Sequence, residues 1–252
     1  MKKIGISLSG GGSRGIVHVG ILKAIDEAGI KINMVTGTSA GAIVGLFYCS
    51  GYSPDSIMEI IRETKLIKYV RPAISRSGLL KLESIISVFK KYIKNDAFEA
   101  LNIPLIVAAT NIKKGTNTFF HDGSLIRSVL ASCAVPVIFE PININDELFI
   151  DGGVLNNLPV EPLIGHCDVI IGSNCNPISE NYKPGNMRSL LERSLLMATN
   201  VNTFAKKELC DVFLEAEGLK EYGGFDFSKA DEIFNIGYEY GKSITEKIKL
   251  LV

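Results

Sequence analysis

Gly37-Thr38-Ser39-Ala40-Gly41 sets a serine between two glycines, where a short apolar run gives way to a helical pattern. A serine on a tight strand-to-helix turn projects its hydroxyl, and the glycines let strand and helix approach closely. The chemistry this suits is attack on an acyl carbon. The competing reading is an ordinary serine at a helix N-cap. A serine hydroxyl is a weak nucleophile and needs a base. The histidines are His18, His121 and His166. In a Ser-Asp-His chain order, His166 is the one that follows Asp151. It precedes Cys167-Asp168 and the apolar run from Val169, at a strand's entry, whereas sites in parallel sheets lie beyond the carboxyl ends of the strands. His166 therefore reads as a surface residue, and His18 as helix packing or a cap contact. Among the carboxylates, Asp151 follows Phe149-Ile150 and precedes Gly152-Gly153, so it should emerge at a strand end. A plain turn is the other reading of this Asp-Gly. Asp122, also followed by glycine, reads as a cap for the next helix.

A second candidate is the run Gly10-Gly11-Gly12-Ser13-Arg14-Gly15. Glycine raises the entropy lost on folding, so such a loop needs bare backbone or positive φ. It could cradle a phosphate or aim amides at an anion formed during a reaction. Gly10, Gly12 and Gly15 formally match the dinucleotide fingerprint. That fingerprint needs an acidic ribose partner after the second strand. The second strand instead ends in Thr36-Gly37-Thr38-Ser39, and no Gly-Lys-Ser/Thr follows the loop.

The elements that must position these residues alternate in type. Strands are predicted at Ile4 to Leu8, Met34 to Thr36, Leu105 to Ala109, Thr116 to Phe120, Phe149-Ile150, Val169 to Gly172 and Val212 to Glu215. Helices are predicted from Val17 to Ala28, with Gly29 as the stop, from Ala40 to Cys49, and from Pro54 behind Ser53 as N-cap. Others follow at Leu82 to Ile93, from Ser124 through Ser132, and at Ser189 to Lys207 and Ser228 to Lys249. The alternation predicts an α/β protein with a mostly parallel sheet covered on both faces. With no repeat, linker or low-complexity tract, residues 1–252 are expected to form one domain.

The 252 residues balance 27 basic against 27 acidic side chains, so overall charge points to no nucleic-acid partner. Its distribution is uneven. From Arg62 to Lys94, nine basic residues face only Glu63 and Glu83. This stretch, residues 62–94, is either solvated helix faces or a flap that meets anionic membrane, with Leu66, Ile67, Tyr69 and Val70 among its charges. The five scattered cysteines suit a reducing compartment. No apolar run reaches the ~18 residues of a membrane span. The expectation is a cytoplasmic protein, with peripheral membrane contact if the flap reading holds.

The glycine run, the Gly37 to Gly41 motif and Asp151-Gly152-Gly153, in this order, closely resemble the patatin-like phospholipases. The stretch Ala131-Ser132-Cys133-Ala134-Val135-Pro136-Val137-Ile138-Phe139 is also similar to that family's segment before its aspartate. The similarity covers roughly residues 4–165, leaving 166–252 to complete the fold. It implies a three-layer α/β/α architecture and a Ser-Asp dyad without a histidine. Ser39 would be the nucleophile, Asp151 the base, and Gly10, Gly11, Gly12, Ser13, Arg14 and Gly15 the oxyanion loop, with amides around Gly11 and Gly12 as donors. Gly37 and Gly41 would shape the elbow, and Gly152 and Gly153 the turn after the aspartate. Arg14 would brace the loop or nearby carboxylates. The implied substrates are phospholipids, lysophospholipids or neutral glycerides, with no cofactor and no metal. Acyl transfer to an alcohol by the same pair, or a noncatalytic regulator on the same fold, are the alternatives.

Overall fold

The computed structural model describes residues 2–64, 71–72, 80–81, 85–183, 185, 187–224 and 226–251. Its strands are β1 (Ile4–Leu8), β2 (Met34–Thr38), the short β3 (Arg71–Pro72) and β4 (Leu80–Lys81), β5 (Leu105–Asn111), β6 (Thr116–Phe120), β7 (Ile142–Ile144), β8 (Glu147–Asp151), β9 (Val169–Asn174) and β10 (Val212–Glu215). The helices are α1 (Val17–Glu27), α2 (Ala40–Cys49), α3 (Pro54–Thr64), α4 (Ile86–Tyr92), α5 (Leu125–Ser132), α6 (Met187–Ala205) and α7 (Ala230–Lys249). Residues 65–70, 73–79 and 82–84, which hold about half of the basic stretch, lie outside the described residues. Within it, Arg62 pairs with Asp231 of α7, and α4 turns Val88 and Phe89 into the core with Lys90 and Lys91 exposed.

The central sheet is parallel through β10, β9, β1, β2 and β5. It is antiparallel where β5 meets β6 and β8, and where β8 meets β7. The sheet is thus mostly parallel, as expected, with five of its eight strands in the parallel run and antiparallel pairing at the β5 end. The β7–β8 hairpin turns through Asn145 and Asp146, both at positive φ (51° and 62°). Two consecutive positive φ values are what a tight hairpin demands, and asparagine and aspartate tolerate them best after glycine.

Side chains alternate across the sheet with the two-residue period of a strand. Val169 and Ile171 of β9 face the main core, with Ile4, Ile6 and Leu8 of β1. Ile170 faces the other way, onto a smaller cluster with Leu158, Val160 and Leu163. Both faces are thus covered. Helix α1 stops as predicted: Gly29 sits at φ 74°, and the Ile30 amide reaches back to the Ile25 carbonyl. Ser53 caps α3 through the Ser56 amide (3.2 Å). The cap of α5 differs from expectation. Ser124 caps it at the Arg127 amide, and the supporting carboxylate is Asp96, which takes the Ile126 amide (2.7 Å) and the Ser124 hydroxyl (2.8 Å). A carboxylate from a distant loop fills the role assigned to Asp122.

Candidate active site

Strand β2 pairs with the first half of β5, ending at Thr38 opposite Ala108. Strand β8 arrives from the opposite direction and pairs with the second half, ending at Asp151 opposite Ala109. Since β6 occupies the other edge of β5 from Val107 to Asn111, across the point where one partner gives way to the other, β2 and β8 share one edge and meet head to head. Ser39 and Asp151 are the residues at that meeting point.

Ser39 turns the chain from β2 into α2 at φ 52° and ψ −119°, outside the regions an L-residue prefers. Close packing imposes this conformation. A Cβ on Gly41 would lie 2.2 Å from the Leu8 carbonyl oxygen, and one on Gly37 would lie 2.7 Å from Gly41 backbone. Only bare backbone lets β1, β2 and α2 approach this closely. The Ser39 amide donates to Ser132 Oγ (2.8 Å), whose hydroxyl donates to the Ala108 carbonyl (2.6 Å). Ser132 therefore holds the turn to the strand beside it.

Asp151 is 7% exposed. Its amide donates to the Ala134 carbonyl (2.9 Å), and its Oδ1 accepts the Gly153 amide (2.7 Å) at the head of a 3-10 turn over Gly152–Val154. The Ser39 side chain lies close enough to the carboxylate to pull its pKa down. Burial raises the Asp151 pKa to about 6, against the opposing pull of these two donors. Cys133 adds a thiol in contact with the Ser39 side chain, and burial pushes it well above the usual thiol range, so it stays protonated.

The glycine loop runs alongside. A Cβ on Gly10 would fall 3.0 Å from the Ser39 Cβ. Two of the loop amides bond to other segments: Gly10 donates to the Asn157 carbonyl (3.2 Å) and Ser13 to the Gly224 carbonyl (2.8 Å). Arg14 and Gly15 continue into a 3-10 turn over Gly12–Ile16. The Gly11 and Gly12 amides have no acceptor among the described residues. The Gly10 carbonyl accepts from Asn176 Nδ2 (2.6 Å), Cys175 Sγ (3.3 Å) and Asn157 Nδ2 (3.4 Å). In a trans peptide the carbonyl and the next N–H point opposite ways, so this anchoring turns the Gly11 N–H away from the cluster.

His18 is fully buried, with Nε2 on the Ser9 carbonyl (3.0 Å) and Nδ1 on Ser173 Oγ (2.9 Å). Burial lowers its pKa to about 4, so it stays neutral and supports the strand entering the loop, a contact role of the kind expected. His166 is exposed just before β9, at the strand's entry. Arg14 Nε is buried without a hydrogen-bond partner among the described residues, and burial lowers its pKa more than the Glu192 carboxylate, acting on the guanidinium, raises it. The Gly10 carbonyl is braced by Asn157, Asn176 and Cys175, which carry no motif of their own. Among the described residues, no group of three His, Cys, Asp or Glu side chains could hold a metal ion.

The family described as patatin-like phospholipase matches residues 6–164, and the chain belongs to it. An uncharacterised NTE family protein of Mycobacterium tuberculosis is 30% identical over 177 residues, covering 69% of this chain and 49% of its own. Lysophospholipase nte1 of Aspergillus fumigatus is 26% identical over 285 residues, covering 98% of this chain and 18% of its own. The chain thus spans about half the length of its mycobacterial relatives and a smaller share of the fungal ones. Among solved structures, VipD from Legionella pneumophila superposes with a TM-score of 0.56 at 15% identity, over 98% of this chain and 67% of that one. That likeness concerns the fold.

Proposed function

We propose that the protein hydrolyses lipid acyl esters through a covalent intermediate on Ser39, with Asp151 as general base and the Gly11 and Gly12 amides as oxyanion donors. The observation that carries this reading is the convergence of Ser39 and the buried Asp151 carboxylate where β2 and β8 meet on one edge of β5. Family membership and the fungal lysophospholipase relatives support a lipid as substrate.

In the proposed reaction, Asp151 takes the Ser39 proton as Oγ attacks the ester carbonyl. The carbonyl oxygen becomes an alkoxide that the two amides stabilise. Such preorganised donors contribute roughly 3 kcal/mol each. The tetrahedral intermediate collapses, and the leaving alcohol takes the proton from Asp151. Water then attacks the acyl-enzyme, with Asp151 again accepting a proton, which it returns to Ser39 Oγ as the fatty acid leaves. A base works best when its pKa lies near the operating pH. Burial moves Asp151 from the ordinary carboxylate range toward that condition.

The test is a panel of lysophospholipids, diacyl phospholipids and glycerides, with and without an acceptor alcohol, using Ser39→Ala as the control. The expected result is fatty acid release by the wild type, labelling of Ser39 by a fluorophosphonate, and neither in the variant. Unchanged ester hydrolysis by Ser39→Ala would end the proposal.

A further inference from the structure

Helix α6 is built inside out. Its inward side carries Asn200 and Thr203, which are 1% and 0% exposed. Its outward side carries Met187, Leu190, Leu191, Leu195, Val201 and Phe204, each between 42% and 88% exposed. At 3.6 residues per turn these positions form one stripe, interrupted by no charged residue among the described outward positions. An apolar stripe of this kind ordinarily faces a core. Contiguous apolar surface left open marks an interaction site.

The polar side of the helix grips the loops of the candidate site. Asn200 donates to the Asn176 carbonyl (2.7 Å), and Asn176 holds the Gly10 carbonyl. Asn202, on the outward side between Leu191 and Leu195, donates to the Leu155 carbonyl (3.3 Å), and Lys206, just past the helix, pairs with Glu161 (2.7 Å). Val154 and Leu155, just after Asp151-Gly152-Gly153, are 45% and 37% exposed. The apolar surface therefore continues from the helix onto the loop that follows the candidate base.

We propose that the outward face of α6, with Val154 and Leu155, seats the protein on the lipid aggregate that contains its substrate. The choice of occupant rests on the lipid-hydrolase reading above. A second copy of the chain seated here would cover the loop beside Asp151, whereas a lipid surface would deliver acyl chains to it. The described residues of the face carry no charge, so the attraction is hydrophobic and neutral lipid suffices. This differs from the charge-driven contact expected of residues 62–94.

Sedimentation with phosphatidylcholine vesicles tests the surface. The wild type is expected to pellet with them, and to do so at high salt, because screening acts on charges and not on apolar contact. Leu191→Asp/Val201→Asp is expected to weaken partitioning about tenfold or more, the scale of losing two buried aliphatic side chains. Leu191→Ser/Val201→Ser, milder toward folding, should weaken it in the same direction. Both variants should hydrolyse a water-soluble short-chain ester as the wild type does. Unchanged partitioning in both variants, release of the wild type by salt, or a wild-type dimer that the variants convert to monomers would overturn the assignment. Failure of the wild type on the soluble ester would count against the hydrolase reading, while the vesicle measurement would still decide the surface.

Discussion

Ser39 and Asp151 meet because two strands running in opposite directions share one edge of β5. Strand β2 releases that edge at Ala108, and β8 takes it up at Ala109. The hydroxyl and the carboxylate, 112 positions apart in the chain, are thereby set by backbone hydrogen bonds to adjacent residues of a single strand. Small errors in placement are costly in catalysis, and a shared strand is a stiff ruler. If Asp151 is the base, it works only when ionised. With its pKa at about 6, kcat/KM should rise with pH through an acid limb near that value and level off above it. Asp151→Asn should lower kcat by ~10³-fold across the whole range and abolish the limb. Steady-state kinetics on a water-soluble ester checks both. A limb near 4, or one retained in the asparagine variant, would remove Asp151 from that role.

The same carboxylate makes a thermodynamic prediction. Its folded-state pKa is raised above the unfolded value of ~3.9, so the native state holds the proton more tightly. Stability from this group is present below the unfolded pKa and is lost as pH rises through about 6. At neutral pH the buried charge costs on the order of 3 kcal/mol. Asp151→Asn removes it. The variant should melt several degrees above the wild type at neutral pH and close to it near pH 4, where the aspartate is protonated in both states. Calorimetry at the two pH values reads the difference.

Ser132 should matter more than its distance from any proposed proton transfer suggests. It is fully buried and bridges the Ser39 amide to the Ala108 carbonyl. Ser132→Ala leaves both buried groups unpaired, at a cost of about 1–3 kcal/mol each. The strained Ser39 turn would then relax toward ordinary φ, carrying its hydroxyl off the Asp151 carboxylate. The expected signature is a lower melting temperature, slower fluorophosphonate labelling of Ser39 and a reduced kcat with little change in KM. A variant that is destabilised yet labels at the wild-type rate would show that Ser132 serves the fold alone.

Much of this arrangement was legible in the residues, and the unread parts share a cause. Strand β1 and helix α2 have the predicted bounds because each is a run of apolar and small residues closed by glycines or a tight turn. The β7–β8 hairpin went unread because Asn145-Asp146 lacks the glycine that usually marks such turns. Asp122 looked like the helix cap because it is adjacent in sequence, whereas Asp96 is adjacent in space. The braces on the Gly10 carbonyl are single polar side chains from two other loops, which no local pattern reveals. Helix α6 was legible as a helix but not in its orientation. Apolar periodicity alone places the Leu190, Leu191 and Val201 stripe inward, and the burial of Asn200 and Thr203, with the Asn200 bond to the Asn176 carbonyl, turns it out.

Asn176 offers the sharpest probe of the glycine loop. Its Nδ2 donates to the Gly10 carbonyl at 2.6 Å, the shortest of the three contacts on that oxygen. Asn176→Asp keeps the size and shape but replaces the donor with a charged acceptor, which repels the carbonyl. The Gly10–Gly11 peptide should then rotate and carry the Gly11 N–H out of alignment. Loss of one oxyanion donor lowers kcat by about 10²-fold or more. Since the donor acts on the alkoxide rather than on the bound ester, KM for a soluble ester should stay near the wild-type value. Asn176→Ser, which can still donate, should fall between the two. Equal loss in kcat and gain in KM for the aspartate variant would mean that the peptide positions substrate and does not stabilise the intermediate.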